Sequence, residues 1–147
     1  MRSYPRNSPE AAGRILALVL MSDGHVCRSE FDALDQLGAC RALGLAPDAM
    51  PRLVQDLCED LMTGLCATGA LRDNVDEATL RSLMAEVDDP LLRREVLRLA
   101  FGVAAADMHL AEGEAFVIDA ARRHWGIDPA QGLALPERAR SEPACAA

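Results

Sequence analysis

Two short stretches hold the residues best suited to chemistry. In the first, Asp23, His25, Val26, Glu30 and Asp35 follow an apolar run. In the second, Asp107, His109, Leu110, Glu114 and Asp119 repeat the same types at one fixed offset after another apolar run. The pattern is an apolar helix, an Asp, a His two residues on, an aliphatic, and a Glu that opens the next helix. Carboxylates together with loop carbonyls suit a hard divalent cation such as Ca²⁺ or Mg²⁺. Adding imidazole shifts the preference toward Zn²⁺ or Mn²⁺. The candidate metal ligands are therefore Asp23, Glu30, Asp107 and Glu114, with His25 and His109 as further candidates.

Electrostatics makes these positions unequal. Asp23 and Asp107 end apolar helices, where the macrodipole is negative and a carboxylate is disfavoured unless N–H donors or a cation face it. Glu30 and Glu114 open the following helices, where negative charge is favoured. A structural reading competes with the metal reading, with each Asp closing its loop and each Glu capping its helix. The residues three before the glutamates are Cys27 and Ala111, so the side-chain half of a capping box is missing and only the Glu-to-backbone half remains. The Asp23 loop lacks the alternating oxygen ligands of an EF-hand. Ser22, Ser29 and the histidines form no nucleophile–base spacing, and Gly64 and Gly69 stand alone rather than in a phosphate-binding loop. No residue reads as catalytic, and the expectation is a protein that is not an enzyme.

The elements that must position these residues read as helices throughout. Ser8-Pro9 gives a cap and a first-turn proline for a helix to about Ser22. A second helix is expected over about Arg28 to Leu43, with Gly44 as its stop. A third covers about Asp48 to Thr68, with Met50, Leu53, Val54, Leu57, Leu61, Leu65 and Cys66 as one apolar stripe. A fourth spans about Asp76 to Val87, a fifth opens at Asp89-Pro90 and runs to about Ala106, and a sixth covers about Glu112 to Trp125. Asp128-Pro129 opens a last short turn. The first helix and the second half of the fifth are apolar on nearly every face, which predicts a central pair with amphipathic helices around it. Leu43-Gly44-Leu45 and Trp125-Gly126-Ile127 close the two hairpins, so the chain carries an internal repeat with a two-residue gap.

Bulk properties narrow the class further. A length of 147 residues suits one domain, and with half the residues apolar but only 3 % aromatic the core must be aliphatic. The domain is expected over residues 8–134, with residues 1–7 and 135–147 loosely ordered. The net charge of −8, with its arginines interleaved among acids, argues against a nucleic-acid partner. Five cysteines, an odd number without a Cys-x-x-Cys pair, disfavour a disulfide framework or a structural zinc site, and Cys58 and Cys66 fall on an apolar helix face. The apolar run Ile15–Met21 is too short for a membrane span and no cleavage site follows it, so a cytoplasmic location is expected.

Ser22-Asp23-Gly24-His25-Val26 with Glu30, and Ala106-Asp107-Met108-His109-Leu110 with Glu114, resemble the paired motifs of the TerB-like family, in which tellurite-resistance proteins and the DjlA N-terminal domain fall. The resemblance covers roughly Glu10 to Ile127. It implies an all-α, compact bundle of about seven helices with pseudo-repeated hairpins, an acidic cluster suspected of holding a divalent metal, and a part in bacterial stress responses. Met108 stands where the family usually has Gly, and Met does not reach positive φ freely. A differently shaped second loop is therefore expected. Two functions are compatible with these features. One is a non-enzymatic, metal-responsive stress module; the other is a protein-interaction or scaffold domain whose acidic cluster is purely structural. Either would act through a protein partner, and a homodimer is compatible with both.

Overall fold

Local signals start and stop most of the helices in the computed structural model, which describes residues 1–22, 24, 26–63, 75–106 and 112–128. Helix α1 (Pro9–Met21) begins where Ser8 Oγ accepts the Ala11 N–H at 3.1 Å and proline occupies the first turn. Helices α2 (Arg28–Gln36) and α3 (Ala39–Leu43) follow, then α4 (Ala49–Thr63). Helix α5 (Glu77–Ala85) is capped by Asp76, whose carboxylate accepts the Thr79 N–H at 2.8 Å. Helix α6 (Pro90–Ala106) opens on Asp89, which accepts the Leu91 N–H at 2.9 Å, and α7 (Glu112–Trp125) completes seven helices among the described residues, with no strand.

Helix α1 is the core of the bundle: every residue from Ala11 to Met21 is buried, with α3, α4, α5, α6 and α7 packed around it. Burying each large aliphatic side chain contributes about 1.5–3 kcal/mol, so this helix organises the fold. The expected partner, α6, is more one-sided. Val96, Leu97, Leu99, Ala100, Val103 and Ala104 are buried, while Arg94, Ala105 and Ala106 face out. Its apolar reading overstated its burial because small alanines near a helix end can lie on the surface at little cost. Helix α4 buries Met50, Leu53, Leu57 and Leu61 as the stripe requires, whereas Leu65 and Cys66 lie outside the described residues. Cys58 is half-buried rather than enclosed.

The expected second helix is two helices. It breaks at Leu37-Gly38, where Gly38 takes a left-handed φ of +66°. The repeat explains the break. Aligned on Glu30 and Glu114, the first hairpin has two more residues than the second before its closing glycine, and in a continuous helix two residues turn the chain by about 200°. The kink absorbs that rotation, and Leu43 and Trp125 are each buried just before their closing glycine. It also sets Leu37 against α6, so close that a Cβ on Gly102 would meet Leu37 Cδ1 at 2.7 Å. After each hairpin the same lock closes. Gly44 (φ +78°) and Gly126 (φ +65°) are left-handed, and the next N–H reaches five residues back, Leu45 to Cys40 O at 2.7 Å and Ile127 to Arg122 O at 3.0 Å. Gly38→Ala has open space for its Cβ but must hold a left-handed backbone. It is expected to lower stability by about 1 kcal/mol, and Gly38→Asn by less, read as the shift in urea midpoint.

Residues 1–7, expected to be loosely ordered, are tied to three helices. Arg2 reaches Asp56, Glu59 and Asp60 of α4, Arg14 of α1 donates to the Arg2 carbonyl, and Asn7 accepts the N–H groups of Asp88 and Asp89 before α6. These partners lie more than fifty residues away, except Arg14, so no local pattern could announce them.

Candidate functional site

Glu30 and Glu114 hold the same place in their hairpins, the third residue of α2 and of α7. Both are buried, at 4 % and 5 % exposure. Charged residues are almost never buried this far unless something satisfies them, so the two carboxylates at matching positions are the site candidates the structure singles out. The first turn of a helix supplies part of the compensation through its unsatisfied N–H groups and positive dipole end.

Glu30 uses that compensation directly. Its Oε2 accepts the Cys27 N–H at 2.7 Å, which is the Glu-to-backbone half of a capping box. The Cys27 thiol lies 3.1 Å from the same oxygen and 3.0 Å from Ser29 Oγ. This thiol contact was not anticipated, because cysteine is a weak donor and is seldom counted among capping residues; the signal was its position three residues before the Glu. Among the described residues no cationic side chain pairs with Glu30.

The chain leading into Glu30 is closed by α1. Ser22 is buried and its hydroxyl donates to Val19 O at 2.6 Å, while Gly24 adopts φ +83° and its N–H reaches Met21 O at 3.0 Å. Asp23, His25, Asp107 and His109, the remaining candidate ligands, lie outside the described residues, as does Met108. Among the described residues no three His, Cys, Asp or Glu side chains are grouped to hold a metal ion. Helix α2 packs on α3 and α6, and α7 on α1, α5 and α6, so Glu30 and Glu114 are held by separate parts of the bundle.

A small apolar cleft lies beside this region. Leu18, Ser22, Val75, Leu80, Gly113, Phe116 and Val117 line it, and Phe116 is half exposed at its edge. Its lining offers almost no polar atom to orient a substrate.

An aliphatic helical bundle folded around one buried helix, with two hairpins that each open on a buried glutamate and close on a left-handed glycine, defines the class of this protein. The family model described as tellurite resistance protein TerB matches residues 10–135, and the chain belongs to that family. No curated protein and no solved structure matches the chain. No helix among the described residues is long and apolar enough to cross a membrane.

Proposed function

We propose that this chain is a non-enzymatic TerB-type module that takes up a divalent cation between its two Asp…Glu loops and passes that state to a protein partner. The ligands of this reading are Asp23 and Glu30 from the first hairpin and Asp107 and Glu114 from the second. The observation that carries it is the matched burial of Glu30 and Glu114 at the third position of α2 and α7. A bound cation would add to the compensation that the first turns of α2 and α7 already give carboxylates held away from water. It would be Ca²⁺ or Mg²⁺ with carboxylates and carbonyls alone, and Zn²⁺ or Mn²⁺ if His25 or His109 joins.

A second reading has its own support. The 2.7 Å bond from the Cys27 N–H shows Glu30 already working as a helix cap. On that reading the acidic residues organise the hairpins, and the module acts purely as a protein-interaction domain.

Thermal unfolding of EDTA-treated protein, titrated separately with Ca²⁺, Mg²⁺, Mn²⁺ and Zn²⁺, separates the two. A ligand confined to the folded state stabilises it by about 2.7 kcal/mol at a hundredfold excess over its Kd, a rise of roughly 5–10 °C for a domain of this size. The expected result is a saturable rise with one of these ions that is absent in Asp23→Ala/Asp107→Ala and in Glu30→Gln/Glu114→Gln. A flat response to all four, with the variants simply less stable, assigns the carboxylates to capping.

A further inference from the structure

The first seven residues lie across the bundle as a strap that ends in a turn at Arg6-Asn7, and the forces on its two sides differ. On the outer side, the Arg2 guanidinium donates to Asp56 O at 2.8 Å, to Asp60 Oδ1 at 3.0 Å and to Glu59 Oε2 at 2.9 Å, while the Arg2 backbone N–H reaches Asp60 Oδ2 at 2.9 Å. Further along, Arg6 pairs with Asp88 at 3.0 Å and the Asn7 N–H reaches Glu86 O at 2.8 Å. The Arg2 and Arg6 side chains are 43 % and 69 % exposed. Pairs made by such exposed arginines hold weakly and are screened by salt, least so at Asp60, whose side chain is only 10 % exposed.

On the inner side the strap covers a buried cation. Arg14, within the buried stretch Ala11–Met21 of helix α1, is 2 % exposed. Its guanidinium pairs with Glu86 at the end of α5, donates to the Arg2 carbonyl, and lies 4.8 Å from the centroid of the Tyr4 ring. Its Nε has no hydrogen-bond partner among the described residues. Two of the three groups that enclose Arg14 therefore belong to the strap, which is fastened outside by the charge pairs of Arg2 and Arg6 and the neutral bonds of Asn7, and inside by Arg14 itself.

We propose that residues 2–7 form a releasable strap, a conformational device that detaches without unfolding the bundle and, in detaching, uncovers Arg14 and unlinks α4 from the α5–α6 corner. The acidic row Asp56, Glu59 and Asp60 is its catch, and ionic strength or a competing charge on that row is what opens it. Local openings of low free energy, well below that of global unfolding, are the property such a device requires. The hydrogen bond from Arg2 holds the Glu59 carboxyl below its ordinary range, and burial raises the Tyr4 phenol, both in keeping with a seated strap.

Limited proteolysis of the full chain tests this. Trypsin can cut after Arg2 and after Arg6 only when the strap is free, and intact-mass measurement follows the loss. The free peptide of residues 1–7, in a parallel tube, corrects for the effect of salt on trypsin. At low salt the intact chain is expected to be cut far more slowly than the peptide, and about 1 M NaCl to speed the corrected rate roughly five- to tenfold. Glu59→Gln/Asp60→Asn is expected to be cut fast at low salt with its salt dependence largely gone, and Arg2→Gln to behave alike at the Arg6–Asn7 bond, while the urea midpoints of both stay close to wild type. Cutting as fast as the free peptide at low salt would overturn the proposal, because nothing then fastens the strap. Cutting that is indifferent to salt and to both variants, and that keeps pace with global unfolding, would equally overturn it, because the segment is then part of the cooperative core.

Discussion

Trp125→Ala is expected to cost about 3–5 kcal/mol, near the top of the range for a single core substitution. Trp125 is the last residue of α7 and only 7 % exposed. Its indole N–H donates to Met84 O at 3.0 Å, a carbonyl at the end of α5 that also accepts the Val87 N–H at 3.3 Å. The Arg93 guanidinium of α6 lies 5.7 Å from the ring centroid, and Arg93 in turn donates to Val87 O at 2.8 Å. One side chain thus joins the end of α7, the end of α5 and the first turns of α6, and its removal opens a cavity where three helices meet. Trp125→Phe keeps the ring but loses the N–H bond, and about 1 kcal/mol of the loss is expected from that bond alone. Because the chain has one tryptophan, the measurement is urea unfolding followed by far-UV circular dichroism rather than by fluorescence. A Trp125→Ala midpoint within error of wild type would mean that the three helix ends are held by other contacts.

The same residue shows what could be read in advance. Trp125-Gly126-Ile127 and Leu43-Gly44-Leu45 stood out in the sequence because a left-handed stop is a local event, decided by glycine and its two neighbours. Ser8-Pro9 and Asp89-Pro90 were legible for the same reason, since caps act within three residues. The break at Gly38 was not. A glycine inside an apolar period looks like one poor helix former, and the need for a break comes from the two-residue mismatch between hairpins. Nor was the strap legible, because Arg2 meets Asp60 and Asn7 meets Asp88 across most of the fold. Of the candidate site, the sequence placed Glu30 and Glu114 in equivalent first turns, and the structure adds their burial and the Cys27 contact. The tryptophan's bond to Met84 O, like the enclosure of Arg14, depends on which helices become neighbours, and the periodicity of one helix does not carry that information.

Arg14 makes the second large expectation. In the sequence it is one of several arginines ahead of an apolar run; in the fold it is the one buried cation in α1. Glu86→Ala is expected to cost about 3–5 kcal/mol, since removing one partner of a buried pair leaves the other charge uncompensated. Arg14→Ala should fall in the same range, through the cavity it leaves and the loss of the hold on Arg2 and Tyr4. The informative chain is the double variant Arg14→Met/Glu86→Leu. Replacing a buried ion pair by apolar groups of similar volume is often close to neutral, so this variant is expected to be more stable than either single one. A coupling of at least ~1 kcal/mol in the cycle built from Arg14→Met, Glu86→Leu and their combination is the threshold, because independent sites add within about 0.5 kcal/mol. Strict additivity in urea unfolding would show that Arg14 is held by the strap and not by Glu86. The trypsin rate of the double variant then separates the two layers. If the bundle recovers its stability while the strap is cut freely, the buried pair serves α1 and α5, and Arg14 alone holds the inner side of the strap through the Arg2 carbonyl and the Tyr4 ring.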